Sequence, residues 1–483
     1  MTVGSGGVLG KPTAVLRSVQ HTIRRAKHRL YKPRAHQYLG IPLRETYKIE
    51  MPSRCDQSRR RPRPAGACAP PLALLLILAA SCLPRASAQR GGGRIGPEWT
   101  PIDVSGERVT LCVLDFKAYH ADPPRYPMFR DLVAVSRCHH GGGRTRSVTM
   151  AQLRAEHARL PPAGSGEPGA PLLPSGFVFH ESRCGSTLIA NMLASSAHRL
   201  QYTESSPLFG VVGRGVNEAA AANMRTVVAQ MGRATGGVDP LTGGPMHTRL
   251  FFKLQSALVH HIPLFQLAFP ATPWIFVFRT PVEVMVSHIG ARLKRGNNAP
   301  CLRSRYSRDP AVLRTLAGAG VGAGERPWAR KELWCAGHLA TLCRLALAAA
   351  DKAENAPVLA RVPGLRAAGP SAAAAAIAAA HSGAGSAGSL SVPVFVEHAT
   401  LVRTMLDYVL PRHFRTPLSA AERAEILHVT KHYSKDRGGG RKWKSDSAAK
   451  REDASAQLKS AAAKVLLPFY AKLKRRVPRL DPA

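Results

Sequence analysis

The sequence predicts an α/β protein, and three observations predict it. Phe177-Val178-Phe179 is a short apolar run set off by Pro174, Ser175 and Gly176, and a polar turn leads from it into apolar residues at Leu188, Ile189, Met192 and Leu193. Trp274-Ile275-Phe276-Val277-Phe278 is a second run, and Pro281 behind it suits the first turn of a helix. Val392 to His398 is a third, followed by a helix expected over Ala399 to Leu410. Short apolar runs with turn punctuation read as buried strands, and apolar residues three and four apart read as helix.

The first unit carries the most chemistry. Its turn, Glu181-Ser182-Arg183-Cys184-Gly185-Ser186-Thr187, holds one cation, one glycine and several hydroxyls. Backbone N–H groups at a helix start lack partners, and the helix dipole adds positive potential there. Gly185 lets the backbone approach a bulky anion, and Ser186 and Thr187 can donate hydrogen bonds. The turn reads as a phosphate cradle. A Walker A loop has Lys between its last Gly and its Ser/Thr, whereas Gly185 is followed directly by Ser186. The cation stands instead at Arg183. This arrangement resembles the 5′-phosphosulfate loop of the sulfotransferase superfamily, with Cys184 where that family usually has Ser. The layout is closest to the Golgi-type carbohydrate and tyrosylprotein sulfotransferases.

The second unit extends the resemblance. Arg279 ends the Trp274–Phe278 run, and Ser287 follows eight residues later. In sulfotransferases an Arg and a Ser so placed bind the 3′-phosphate of the donor, 3′-phosphoadenosine 5′-phosphosulfate. Glu204 follows the first helix, where the family often carries a general base. Lys253 ends a further strand expected over Leu250 to Leu254, near where the family places a Lys beside the leaving phosphosulfate bridge. The resemblance covers roughly residues 176–473. It implies a three-layer sandwich with a central parallel sheet and a P-loop-like phosphate-binding turn. It also implies transfer of a sulfuryl group to a hydroxyl or amine. Glu204, Arg183 and Lys253 would be catalytic. Arg183, Cys184, Gly185, Ser186, Thr187, Arg279 and Ser287 would hold the donor. No metal is implied. His180, His260 and His261 are rival bases. A P-loop kinase or NTPase would need a loop Lys and a carboxylate for Mg²⁺. A non-catalytic polyanion-binding protein of the same fold is the other alternative.

Charge and leader bear on partners and place. The 483 residues carry 68 Lys and Arg against 30 Asp and Glu, a net charge of +38. Such a surplus suits anionic partners. An anionic polysaccharide or a protein acceptor is expected, carbohydrate first and protein tyrosine second, with no nucleic acid. Ahead of Gln89 the only acids are Glu45, Glu50 and Asp56. Ala65 to Leu83 is uncharged, follows Arg59-Arg60-Arg61-Pro62-Arg63, and precedes Ala86-Ser87-Ala88, a small-x-small cleavage pattern. Residues 51–88 therefore read as a signal peptide, or as a signal anchor if uncleaved, the only route to a membrane. The secretory pathway follows, Golgi lumen or secreted, with a plastid or other organelle as the alternative.

The expected organisation is a basic leader over 1–50, the signal over 51–88, and a lead-in segment and linker over 89–175. In the lead-in, Val109 to Leu114 reads as a strand and Met150 to Leu160 as a helix. The sulfotransferase-like domain follows over 176–473, with an Ala-rich insert at 368–389, and a basic tail over 474–483. Lys435 to Lys444 reads as a basic, glycine-containing loop, and Ser455 to Leu467 as an amphipathic helix ended by Pro468. Six cysteines follow Ala88. Their pairing is not deducible, although Cys335 and Cys343, eight apart on one helix, are not expected to pair with each other.

Overall fold

The computed structural model describes residues 94–138, 145–167, 169–213, 215–234, 246–290, 299–355, 391–437 and 440–480. All belong to one compact unit, Gln89–Ala483. The basic leader, the signal segment, the Ala-rich insert and Gly438-Gly439 of the basic loop lie outside the described residues.

The lead-in folds first as three antiparallel strands, β1 (Trp99–Ser105), β2 (Arg108–Val113) and β3 (Thr145–Thr149), in the order β1-β2-β3. Helix α1 (Met150–His157) follows directly. It starts there because Thr149 accepts from the Gln152 backbone N–H while the Gln152 side chain returns to the Thr149 N–H, a reciprocal cap. A disulfide joins Cys112 on β2 to Cys138.

The main sheet has five parallel strands: β4 (Pro174–His180), β5 (Arg199–Thr203), β6 (Arg249–Lys253), β7 (Trp274–Phe278) and β8 (Val394–Glu397), in the order β5-β6-β4-β7-β8. The helices that matter here are α2 (Ser186–Ala194), α3 (Glu218–Met231), α4 (Pro281–Ile289), α5 (Lys331–Asn355), α6 (Ala420–Thr430) and α7 (Ser447–Glu452). The protein is thus mixed α/β, with an all-parallel sheet flanked by helices. Buried parallel strands need apolar side chains on both faces, which is why these runs are continuous rather than alternating.

The two-residue period still sorts the side chains. Phe177, Phe179, Leu250, Phe252, Trp274, Phe276, Phe278 and Phe395 join one core, together with residues of α3, α4 and α5. Val178, Phe251, Ile275, Val277, Val394 and Val396 join a second core, with Ile189, Met192 and Leu193 of α2 and Ile426 of α6. Each large side chain so buried contributes about 1.5–3 kcal/mol. In the second core Phe251 meets Phe414, ring centroids 5.4 Å apart. Gly176 makes room for Phe414, since a Cβ there would lie 2.6 Å from its ring.

Helix α5 is long and apolar enough to cross a membrane, with mean hydropathy 1.4, but 78% of that stretch is buried inside the protein. Its Cys335 is bonded to Cys301, while Cys343 stays a buried thiol. The helix expected over Ser455 to Leu467 buries Leu458, Ala461, Ala462, Val465 and Leu466 as its spacing requires. Its end differs from expectation. Pro468 does not stop it: residues Ala462–Leu466 form a wide π turn, and a helix continues over Leu467–Lys474 with Pro468 in its first turn. Proline is tolerated there because first-turn N–H groups have no intrahelical partner. The segment after β8 behaves alike, helical over Leu401–Thr404 and then π-wound over Met405–His413 around Pro411.

Candidate functional site

In a parallel sheet every strand delivers its following residue to the same edge. Lys253 is paired in register with Thr203 on one side and Val178 on the other, and His180 is opposite Val277. The Arg183 turn, Glu204, Lys253 and Arg279 therefore all stand at the carboxyl edge of one sheet, the usual place for ligands in such folds.

The turn after β4 is wound by backbone conformation. Ser182, Arg183 and Gly185 have φ of 75°, 56° and 90°. Such values are uncommon for residues with a Cβ. His180 supports the winding. Its Nδ1 accepts from the Ser182 N–H at 2.9 Å, so Nε2 carries the proton and donates to the Leu254 carbonyl at 2.9 Å. Burial, and then the Lys253 charge, hold its pKa well below the usual histidine value. With both ring nitrogens engaged by backbone, His180 acts as a brace. Gly185 caps α2, and a Cβ there would lie 2.8 Å from His398. Ser186 and Thr187 form the first turn of α2 and are buried. The Cys184 side chain points into the second core, where its thiol donates to the Val277 carbonyl at 3.1 Å and burial pushes its pKa up to about 12. Only the backbone of Cys184 is thus available to a ligand, not its thiol.

Glu204 and Lys253 form an ion pair, and the Glu204 N–H donates to the Lys253 carbonyl at 2.6 Å. Glu204 has φ 56°, which turns its side chain back over β6. Lys253 is 1% exposed and Glu204 32%. Burial alone would raise the Glu204 pKa; the Lys253 ammonium and its hydrogen bond, with smaller contributions from His180 and Lys435, together outweigh it and hold the carboxyl at about 2. His260 and His261 lie on the turn after β6, and burial lowers both, His261 to about 4.

Arg279 and Ser287 are linked through Glu283, a residue the sequence reading did not single out. The Glu283 carboxylate accepts from Arg279 Nε at 2.9 Å, and its carbonyl accepts from the Ser287 hydroxyl at 2.8 Å. Arg279 also donates to Asp446 at 2.9 Å and Ser447 at 3.2 Å. Ser447 and Arg451 of α7 bind Glu283 in turn, at 2.8 and 2.9 Å. Burial would raise the Glu283 pKa, but the Ser447 and Arg279 hydrogen bonds keep it below the usual carboxylate range. The i,i+4 spacing of Arg279 and Glu283 was the available signal; nothing local points to Asp446.

Glu181 went unread, and so did the reach of the basic loop's segment to Arg279. Glu181 is 1% exposed; it accepts from the Arg279 N–H and from the Cys343 thiol, the latter at 3.4 Å, and burial pushes its pKa up to about 8. The stretches 434–437 and 440–451 form a strap along the edge. Its Ser434 carbonyl accepts from Asn191 of α2 at 3.1 Å, Arg437 pairs with Asp131 at 2.9 Å, and Asp446 and Ser447 reach Arg279. The basic loop expected over Lys435 to Lys444 is part of it, closed by Tyr433 N–H to the Arg441 carbonyl at 2.8 Å and Trp443 N–H to the Lys431 carbonyl at 2.9 Å.

No protein-family model, curated protein or solved structure matches the chain.

Proposed function

We propose that the chain is a sulfotransferase. It would transfer a sulfuryl group from 3′-phosphoadenosine 5′-phosphosulfate to a hydroxyl or amine of an acceptor, carbohydrate first. One observation carries this reading: the Arg183 turn, Lys253, Arg279 and the Glu204 carboxylate converge on the carboxyl edge of a single parallel sheet. Three cations and a helix start suit a donor with three anionic groups. The fold is then a three-layer sandwich, and the turn after β4 is its P-loop-like phosphate-binding element.

In this reading the turn amides, Ser186, Thr187 and Arg183 hold the 5′-phosphosulfate, and Arg279 holds the 3′-phosphate. The acceptor oxygen forms a bond to sulfur as the bond from sulfur to the phosphate oxygen breaks. Glu204 takes the acceptor proton, and the leaving phosphate carries its charge toward Lys253 and Arg183. The ion pair gives Glu204 a specific behaviour. Held at about 2 it is a poor base. When Lys253 turns to the leaving phosphate, Glu204 loses its cation and its basicity rises. Two disulfides and the leader are in keeping with an oxidising secretory compartment.

A specific observation favours a second reading, a non-catalytic polyanion-binding protein of the same fold. Arg279 is already held by Glu283 and Asp446. The two readings part on turnover. Incubation with ³⁵S-labelled donor and a panel of polysaccharides and tyrosine peptides should yield a labelled acceptor, lost in Glu204→Gln. A protein that binds donor and polysaccharide but labels nothing would favour the second reading.

A further inference from the structure

Two histidines away from the candidate site meet in a way that calls for a cation between them. His120 lies in the helix Phe116–Ala121 of the lead-in, and His247 lies just ahead of β6, 1% exposed. His120 Nδ1 is 3.0 Å from the Ala194 carbonyl and His247 Nδ1 is 2.7 Å from the Ala234 carbonyl. A carbonyl oxygen only accepts, so each Nδ1 carries the proton of its ring. Each neutral ring then has a lone pair at Nε2, and the two Nε2 atoms face each other at 3.1 Å. Two lone pairs aimed at one another repel.

A metal ion resolves this. Metal–imidazole bonds of about 2.0–2.1 Å at a tetrahedral angle set two nitrogens about 3.3 Å apart, close to the spacing found. An Nδ1–H donated to a backbone carbonyl is also how metal-bound histidines are held in orientation. His120 lines a cavity of about 320 Å³ together with Asp122, Glu425, His428, His432 and Asp436. We propose that His120 and His247 bind a divalent transition-metal ion through their Nε2 atoms, with water completing its shell. Among the described residues no group of three or more His, Cys, Asp or Glu is assembled for a metal, so the pair is a two-ligand site, of which His120 lines the cavity and His247 is buried behind it. The ion clamps the lead-in to the strand domain and takes no part in the transfer chemistry.

The competing site is the exposed pair His428 and His432, whose Nε2 atoms are 3.4 Å apart on the last turn of α6 and just beyond it. The test is zinc chloride titrated into the full chain, purified without a histidine tag and dialysed against a chelator, with calorimetry and thermal melting as readouts. One zinc per chain and a melting temperature raised by several degrees are expected, as for any ligand of the folded state. His120→Asn keeps a donor for the Ala194 carbonyl and removes the ligand. It should weaken zinc at least about tenfold, since even outer-shell losses cost about 10–100-fold. The double variant His428→Ala, His432→Ala should bind as the parent does. His247→Asn should match His120→Asn; if it fails to fold, the half-buried His120 still decides. No saturable zinc binding would overturn the proposal and leave the rings sharing a proton. So would zinc binding lost in the His428/His432 variant but kept in His120→Asn.

Discussion

Glu204 shows how one side chain can be both poised and restrained. Its carboxyl is ionised and near the edge of the sheet, yet Lys253, with smaller contributions from His180 and Lys435, holds it at about 2. Glu204→Gln keeps the shape and removes the proton acceptor. Under the proposed function its kcat should fall by about 10²–10⁴-fold, the range of general-base catalysis, with donor affinity kept. Turnover within about threefold of the parent, outside that range, would remove Glu204 as the base and leave His260 or His261. Glu181 makes an independent prediction. Its folded pKa, about 8, is above the ordinary carboxylate value of 4.5. The stability it contributes is therefore present below pH 4.5 and is lost as the pH rises toward 8. Glu181→Gln can still accept from the Arg279 N–H without the ionisation. Melting curves of parent and variant should diverge in the variant's favour from pH 5 to pH 8. A constant difference across that range would show that Glu181 does not titrate as its burial requires. Neither Glu181 nor the bracing of His180 was legible in the sequence, because both depend on which strand lies next to β4.

At the scale of elements, four of the five parallel strands and the basic loop over Lys435 to Lys444 were legible, and the strap's reach to Arg279 was not. Phe177–Phe179, Leu250–Leu254 and Trp274–Phe278 read as strands because two-sided burial leaves continuous apolar runs. The proline positions misled, since a π turn places Pro468 where its missing N–H costs nothing, and no local pattern announces that turn. Tight packing between elements sets the next prediction. Gly176→Ala drives a methyl to within 2.6 Å of the Phe414 ring. The overpacking should cost about 1–3 kcal/mol, read as a lower denaturation midpoint; an unchanged midpoint would mean that Phe414 can step aside. The strap carries a functional prediction. Asp446 holds Arg279 from the N-cap of α7 and competes with any anion for it. Asp446→Asn should tighten 3′-phosphoadenosine 5′-phosphate severalfold in calorimetry. Weaker binding would mean that Asp446 orients Arg279 for the ligand instead of withholding it.

For the whole molecule, the sequence carried the α/β class, the strand–helix pairs that begin at Phe177 and Trp274, the strand at Leu250 to Leu254, and the residues gathered at one sheet edge, but not β5 or α3. It could not carry the strand order, which brings Lys253 between Glu204 and the Arg183 turn, nor the disulfide pairs, which follow from long-range packing. Under the proposed function this edge is built for a 3′-phosphorylated nucleotide, and Arg279 reads the extra phosphate. Calorimetry on the parent and on Arg279→Ala, with 3′-phosphoadenosine 5′-phosphate, ADP and ATP with Mg²⁺, tests it most directly. The account predicts that the parent prefers 3′-phosphoadenosine 5′-phosphate. It also predicts that Arg279→Ala weakens that ligand about ten- to a hundredfold, the worth of a charged hydrogen bond, and leaves ADP nearly unchanged. Equal losses for both ligands, or a parent that prefers ATP with Mg²⁺, would contradict it.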